Sequence, residues 1–414
     1  MLQIKNTLGG GGGNPEGSYV WKKYEYTSES YLRFIGNEDF TLKTLNTSKN
    51  WNGTLEYSTD ATTWSTWNGT EISSSGKYLY LRGTGNTKIS GSTQNYKFVF
   101  TGADTLRIAC EGNIENLLDY ETVTTGGHPT MANYCYSNMF NGCTSLTTAP
   151  ELPATILKNS CYSNMFNGCT SLTTAPELPA TTLKSSCYSG MFNGCTSLTT
   201  APQLPATTLA DYGYSSMFSG CTSLTTAPEL PATTVSFHGY SYMFSDCTSL
   251  TTAPELPATT LNENCYSDMF NGCTNLTTAP SILPATTLKN SCYSDMFNGC
   301  TSLTVAPQLP ATTLDNNCYT SMFNGCTYLT IVPELPATIL KDFCYRNMFY
   351  GCINIKLSST QTGEYQTAYR IPTSDTGTTG SNSLLSMFTN TGGTFTGTPE
   401  INTIYYLSTS NFIV

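Results

Sequence analysis

Seventeen cysteines, two histidines and a recurrent glutamate are the residues of this 414-residue chain whose types could do chemistry. The cysteines recur in pairs eight residues apart, as in Cys135/Cys143, Cys161/Cys169 and Cys344/Cys352. Disulfides closing each unit are one reading, and would imply an oxidising compartment. Yet Gly213 and Gly239 replace the first member where Cys221 and Cys247 keep the second. Obligate partners would be lost together, so stacked, buried free thiols acting as small hydrophobes are the favoured reading. No Cys-x-x-Cys occurs, and a cysteine column every 26 residues is not zinc spacing. His128 and His238 stand far apart in unlike contexts, too few for a metal cage or a histidine-activated nucleophile. The run Gly9 to Gly13 leads into Asn14-Pro15 rather than Lys-Ser/Thr, so it is no phosphate loop. The chain is therefore expected to be no enzyme and to need no cofactor or metal.

One acidic column remains. Glu151, Glu177, Gln203, Glu229, Glu255, Gln308 and Glu334 hold one position of a repeat. In a parallel stack such side chains lie about one strand spacing apart, where like charges repel. Fanned-out, solvated carboxylates diluted by glutamine are one reading. A row of weak divalent-cation sites at Glu151, Glu177, Glu229, Glu255 and Glu334 is the other.

The element that positions these residues is a repeat. Met139, Met165, Met191, Met217, Met243, Met269, Met296, Met322 and Met348 each precede Phe, at seven intervals of 26 residues and one of 27. Near-constant spacing marks a solenoid, in which each unit buries its apolar face against the next. In the second unit Ser163 is placed to N-cap a helical turn over Asn164 to Asn167, which Gly168 would end. A short strand through the threonines after Leu172 is expected to pair with its neighbours, interrupted at Pro176 and Pro179.

The flanks read differently. Residues 1–17 form a Gly-rich leader. Over 18–104, short aromatic runs such as Tyr31-Leu-Arg-Phe-Ile and Tyr78-Leu-Tyr-Leu alternate with turn signals at Asn52-Gly53 and Asn68-Gly69. Antiparallel strands joined by hairpins there predict a small β-sandwich. Its tryptophans, Trp21, Trp51, Trp64 and Trp67, suit core packing or an aromatic sugar platform. Residues 105–134 are placed to cap the repeats at 135–357, and residues 358–414 to cap the other end. A further Met387-Phe388 echoes the motif within that last segment.

Only 11% of residues are charged and the formal net charge is −10. The polar surface is thus mostly hydroxyl and amide, and no basic cluster invites nucleic acid or anionic lipid. No 18-residue apolar run is present, so no membrane insertion is expected. The N-terminus lacks the apolar stretch of a secretory signal, so either the chain is a mature fragment or it is not exported by that route, and the initiating Met favours the second.

The motif Met-Phe-x-Gly-Cys-Thr-Ser-Leu-Thr resembles the BspA-like leucine-rich repeats, over about 220 residues. That resemblance implies a right-handed solenoid with a short-stranded parallel sheet on one face and short helical turns opposite. It also implies a recognition or adhesion role. The expected fold is mainly β: an antiparallel β-sandwich followed by this solenoid. Tyr19-Val-Trp-Lys-Lys-Tyr and the segment from Met387 to Pro399 look like parts of phage and prophage tail-associated proteins of gut bacteria. They imply a virion tail component that folds in host cytoplasm and joins other tail proteins through its N-terminal region. The alternative is a bacterial cell-surface adhesin.

Units differ most after each Thr-Thr-Leu, where drift and tuned recognition look alike. Tyr212, Phe237, His238 and Tyr242 make the one aromatic cluster of the repeats there. They are the candidate contacts for a host cell-surface glycan or protein, and a homo-oligomer is compatible with this reading.

Overall fold

A computed structural model describes residues 30–372 and 380–414. The leader at 1–17, Trp21 and the motif beginning at Tyr19 lie outside them. The described residues are mainly β, with few helices.

Alternating buried and exposed residues set the N-terminal strands, as in β1 (Leu32–Gly36), where Leu32 and Phe34 face inward. β3 (Thr54–Ser58), β4 (Ser65–Trp67), β6 (Tyr78–Thr84) and β8 (Ile108–Glu111) join β1 in one sheet, in the order β4-β3-β6-β1-β8. A second sheet runs β5-β2-β7, from Ile72–Ser73, Thr41–Thr44 and Phe98–Thr101. Phe34 of the first meets Phe98 and Phe100 of the second at 6.4 and 5.3 Å between ring centroids. Neither Asn-Gly pair turns a hairpin. Asn52-Gly53 precedes β3, and Asn68-Gly69 leads from one sheet to the other. Gly69 (φ +93°) lies so close to the Ser48 carbonyl that a Cβ would collide, so it answers a close approach between segments. Trp51 and Trp67 stack in the core at 5.2 Å. Trp64 is half-buried beneath the Arg82 guanidinium at 4.1 Å.

The repeats contain no helical turn where Ser163 would cap one. Instead, the amides from Ser160 to Cys169 alternate between two directions. Those of Ser160, Tyr162, Asn164, Phe166 and Gly168 donate to carbonyls of the next coil at 2.7–3.0 Å. Those between close i→i+3 turns, for example Met165 N–H to Tyr162 C=O at 3.1 Å. Every second turn needs positive φ at its third residue. Ser160, Asn164 and Gly168, at +55°, +54° and +71°, supply it. A left-handed residue every fourth position is incompatible with a helix. This turn layer is what stacks the coils.

Side chains follow the same register. Phe140 to Phe349 and then Phe388 form a column of parallel rings, neighbours 5.4–5.7 Å apart. A tyrosine column from Tyr136 to Tyr345 runs beside it at 5.5–6.0 Å. The methionines are fully buried. All seventeen cysteines are free and buried. In the second to ninth units the second cysteine donates Sγ–H to a phenylalanine carbonyl of the preceding coil, as Cys169 does to Phe140 and Cys247 to Phe218, both at 3.1 Å, and Cys143 of the first donates to the Phe98 carbonyl on β7 at 3.2 Å. That bond accounts for its presence in every unit.

Opposite the turn layer, parallel pairing is brief. β9 (Leu146–Thr148) of the first coil pairs with β8, extending the N-terminal sheet into the repeats. The ladder continues through Thr148, Thr174 and Thr200, then resumes between Thr252 and Thr278 and between Val305 and Ile331. A second register joins β10 (Thr234–Val235) to β11 (Thr260–Leu261).

Both ends are covered. Ile89 N–H and Phe98 N–H satisfy the first coil's Cys135 and Met139 carbonyls at 2.9 and 2.7 Å. At the far end β12 (Ile331–Val332) pairs with the C-terminal strand Phe412–Ile413. Ser383, Leu385, Met387 and Thr389 accept the last amides of the ninth coil at 2.9–3.0 Å, so the Met387-Phe388 echo forms a tenth coil.

Phe244 sits mid-column against two rings. Phe244→Ala should cost about 3–5 kcal/mol in urea unfolding. Phe388→Ala, with one stacked neighbour, should cost less.

Candidate functional site

The positions that vary between units include the first left-handed residue of each turn layer and the residue before it. In the fourth and fifth coils these are Tyr212, Phe237 and His238, and the structure brings all three together. The Tyr212 and His238 rings stack at 4.9 Å with planes 6° apart, since they hold equivalent positions one coil apart. Phe237 meets both edge-on, at 5.4 and 4.4 Å. Partial burial lowers the His238 pKa, which favours the neutral ring. Tyr242 stands apart from the cluster. It hydrogen-bonds instead toward Asp268 on the next coil, and its phenol is pushed up to about 12. Partial burial is the first cause, followed by the Asp268 and Asp295 carboxylates.

The fifth coil is unusual along its whole turn layer. His238, Tyr242 and Asp246 hold its three left-handed positions, at φ +52°, +57° and +58°. Asn164 and Gly168 illustrate the ordinary occupants. Gly213 and Gly239, where other units carry cysteine, are tightly confined. A Cβ on Gly239 would lie 2.7 Å from Val235 Cγ1, and one on Gly213 would lie 3.1 Å from Leu183 Cδ1.

On another side of the same two coils the threonine ladder lapses at Thr226. A groove of about 520 Å³ opens there between Thr225–Glu229 and Thr251–Glu255, with Pro231 and Pro257 beyond. The tyrosine column is also widest here, 6.0 Å between Tyr214 and Tyr240.

The glutamate column gathers no common site. Glu177, Glu229, Glu255 and Glu334 are exposed. Glu255 accepts from the Ser281 amide and hydroxyl at 3.1 and 3.0 Å. Glu151 is half-buried, and desolvation raises its pKa. Among the described residues no three His, Cys, Asp or Glu side chains converge as metal ligands. No helix among them is long and apolar enough to cross a membrane.

The cysteines offer no nucleophile. Burial raises their pKa throughout, to about 12 for Cys161 and Cys195, so the thiol form is favoured. His128 accompanies Glu115, whose buried carboxylate lies 2.8 Å from Nδ1. Sequence reasoning missed this pair, since nothing in the spacing of residues 115 and 128 marks it.

With this geometry in view, the chain is a leucine-rich-repeat protein. The family model for the BspA type leucine rich repeat region matches it in six copies, over residues 123–251, 159–304 and 214–356. These matches span more than half the chain, which belongs to that family. Among solved structures, a leucine-rich repeat protein from Bacteroides ovatus ATCC 8483 aligns at 17% identity and TM-score 0.16. The alignment covers 62% of this chain and 91% of that one. No curated protein matches.

Two outcomes are expected. A thiol reagent should find no rapidly reacting cysteine in the native protein and all seventeen after denaturation. Desolvation raises the Glu115 pKa above its ordinary 4.5, so ionising it opposes folding. The Glu115 contribution to stability should therefore be fully present below pH 4.5 and be lost as pH rises through the folded-state value. Glu115→Gln should flatten this segment of a pH series of melting temperatures.

Proposed function

We propose that this protein is a non-enzymatic recognition protein. In this reading an N-terminal β-sandwich supports a right-handed leucine-rich-repeat solenoid, which presents its variable side to a cell surface. Membership of the BspA-type family supports a surface or adhesion role. The observation that carries the reading is the cluster of Tyr212, Phe237 and His238, mutually packed at variable positions of a constant scaffold. Preorganised aromatic rings bind at low entropic cost and dominate recognition surfaces.

Two placements of that surface follow. As a phage tail component, the chain would join other tail proteins through its N-terminal region and contact the host's surface glycan or protein. The tail-like segment from Met387 to Pro399 favours this placement. As a bacterial adhesin it would act from the cell surface, and the family favours that one.

Fluorescently labelled full chain should bind intact cells of at least one strain in a panel of gut bacteria and epithelial lines. Tyr212→Ala combined with Phe237→Ala should reduce that binding at least tenfold while the melting temperature stays within a few degrees. Unchanged binding would remove the cluster from the contact surface. Absence of binding to every cell type would end the recognition reading. Immunogold labelling of virions, against labelling of producing cells, separates the two placements.

A further inference from the structure

The first left-handed position of each turn layer disfavours large side chains. In six coils it holds Ser or Asn, among them Ser160, Ser186 and Asn264, at φ +51° to +56°. A short polar side chain tolerates this conformation, whereas a bulky one is strained in it. Four aromatic side chains nevertheless occupy it: His238 at +52°, Phe343 at +56°, and the tyrosines Tyr134 and Tyr212 at +60° and +55°. Full burial does not offset that strain at the tyrosines, since Tyr134 and Tyr212 remain 42% and 37% exposed, whereas Phe343 is half-buried. Drift at a left-handed site runs toward Gly, Asn and Ser. Exposed tyrosine there points instead to a use for the ring.

Their placement says what use. One face of Tyr212 is covered by His238, and Phe237 abuts the ring edge-on. Its other face looks back along the stack, toward the third coil. There the equivalent residue is Ser186, then Ser160 in the second coil, then Tyr134 in the first. Two aromatic rings thus bracket two serine-topped coils, about three strand spacings or ~15 Å apart. The amides of Tyr134, Ser160, Ser186 and Tyr212 each donate to the following coil at 2.9–3.0 Å, so the floor is held in register. Beside the two serines, Lys158, Asn159 and Lys184 are exposed and Ser185 is half-buried.

We propose that this slot, walled by Tyr134 and Tyr212 and floored by Ser160 and Ser186, binds a short oligosaccharide. A pyranose presents a C–H face that stacks on an aromatic ring and a rim of hydroxyls that pair with serine, asparagine and lysine. The slot supplies that combination on a rigid backbone. A peptide strand fits less well, since the floor amides are already used between coils and cannot extend a sheet. A nucleic acid is opposed by the net charge of −10. The proposal rests on the recognition reading and names its ligand class.

The test uses the full chain on a printed array of defined neutral and N-acetylated oligosaccharides of two to six units. Titration calorimetry then follows with the strongest binder. Tyr134→Asn and Tyr212→Asn install a residue that the left-handed position prefers. Each should therefore keep or raise the melting temperature while weakening binding at least tenfold. Phe343→Asn, at the equivalent position eight coils from Tyr134 and five from Tyr212, should bind as the parent does. An array on which the parent binds nothing overturns the carbohydrate assignment, even if cells are still bound and surface recognition stands. Binding of both tyrosine variants within twofold of the parent overturns the slot.

Discussion

Five amides per coil have no partner within their own coil, and everything else in the repeats depends on that. In the second coil, Tyr162 N–H and Phe166 N–H reach Cys187 C=O and Met191 C=O, each 25 residues on in the next coil. An unpaired buried amide costs ~1–3 kcal/mol. A coil without a neighbour is thus penalised several times over, besides exposing its Met, Phe and Tyr. The bonds run one way, from each coil to the next. Hence the N-terminal end offers bare carbonyls and the C-terminal end bare amides. The caps answer that asymmetry. Amides of Ile89 and Phe98 meet the carbonyls at one end, while Thr398 Oγ1 and Gly397 C=O accept from Ser386 and Phe388 at the other.

The same bonds explain why the repeat is so uniform where it is uniform. Stacking fixes ring positions to within a few tenths of an ångström from coil to coil, so a Phe must sit on a Phe. The second cysteine must reach a carbonyl one coil back, and only a small donor fits there. The first cysteine has no such bond along the stack and yields to Gly213 and Gly239. A pattern that looked like broken disulfide pairing is a difference between a thiol that donates and one that only fills space.

Much of this was legible in the residues, and the part that was not has a definite cause. A period of 26 residues, the inward Met, Phe and Leu, and the brief threonine ladder all follow from spacing and from proline. The helical turn did not survive, because Ser-x-Met-Phe-x-Gly carries both a capping residue and a terminating glycine. The contrary signal lay at four-residue spacing: Ser160, Asn164 and Gly168 are all types that tolerate positive φ. The aromatic cluster was legible for Tyr212, Phe237 and His238, which share one edge of adjacent coils. Tyr242 was not separable from them, because four residues along a turn layer carries a side chain clear of the cluster, toward Asp268.

That four-residue spacing also bears on why the fourth and fifth coils depart from the rest. His238, Tyr242 and Asp246 take all three left-handed positions of one coil, and Gly239 lies beside Val235 where other coils set cysteine beside leucine. Each substitution is tolerable because neighbouring coils keep the amide bonds intact: Tyr240 N–H still reaches Cys265 C=O at 2.9 Å, and Phe244 N–H still reaches Met269 C=O at 2.9 Å. In a globular core such clustering would spread strain in three dimensions. In a linear stack it is confined to two interfaces. The ladder lapses at Thr226 and the groove opens, yet Phe218 and Phe244 remain stacked at 5.7 Å. A repeat architecture can therefore give up regularity at one place on its surface without losing its axis, and it is at such a place that the rings gather.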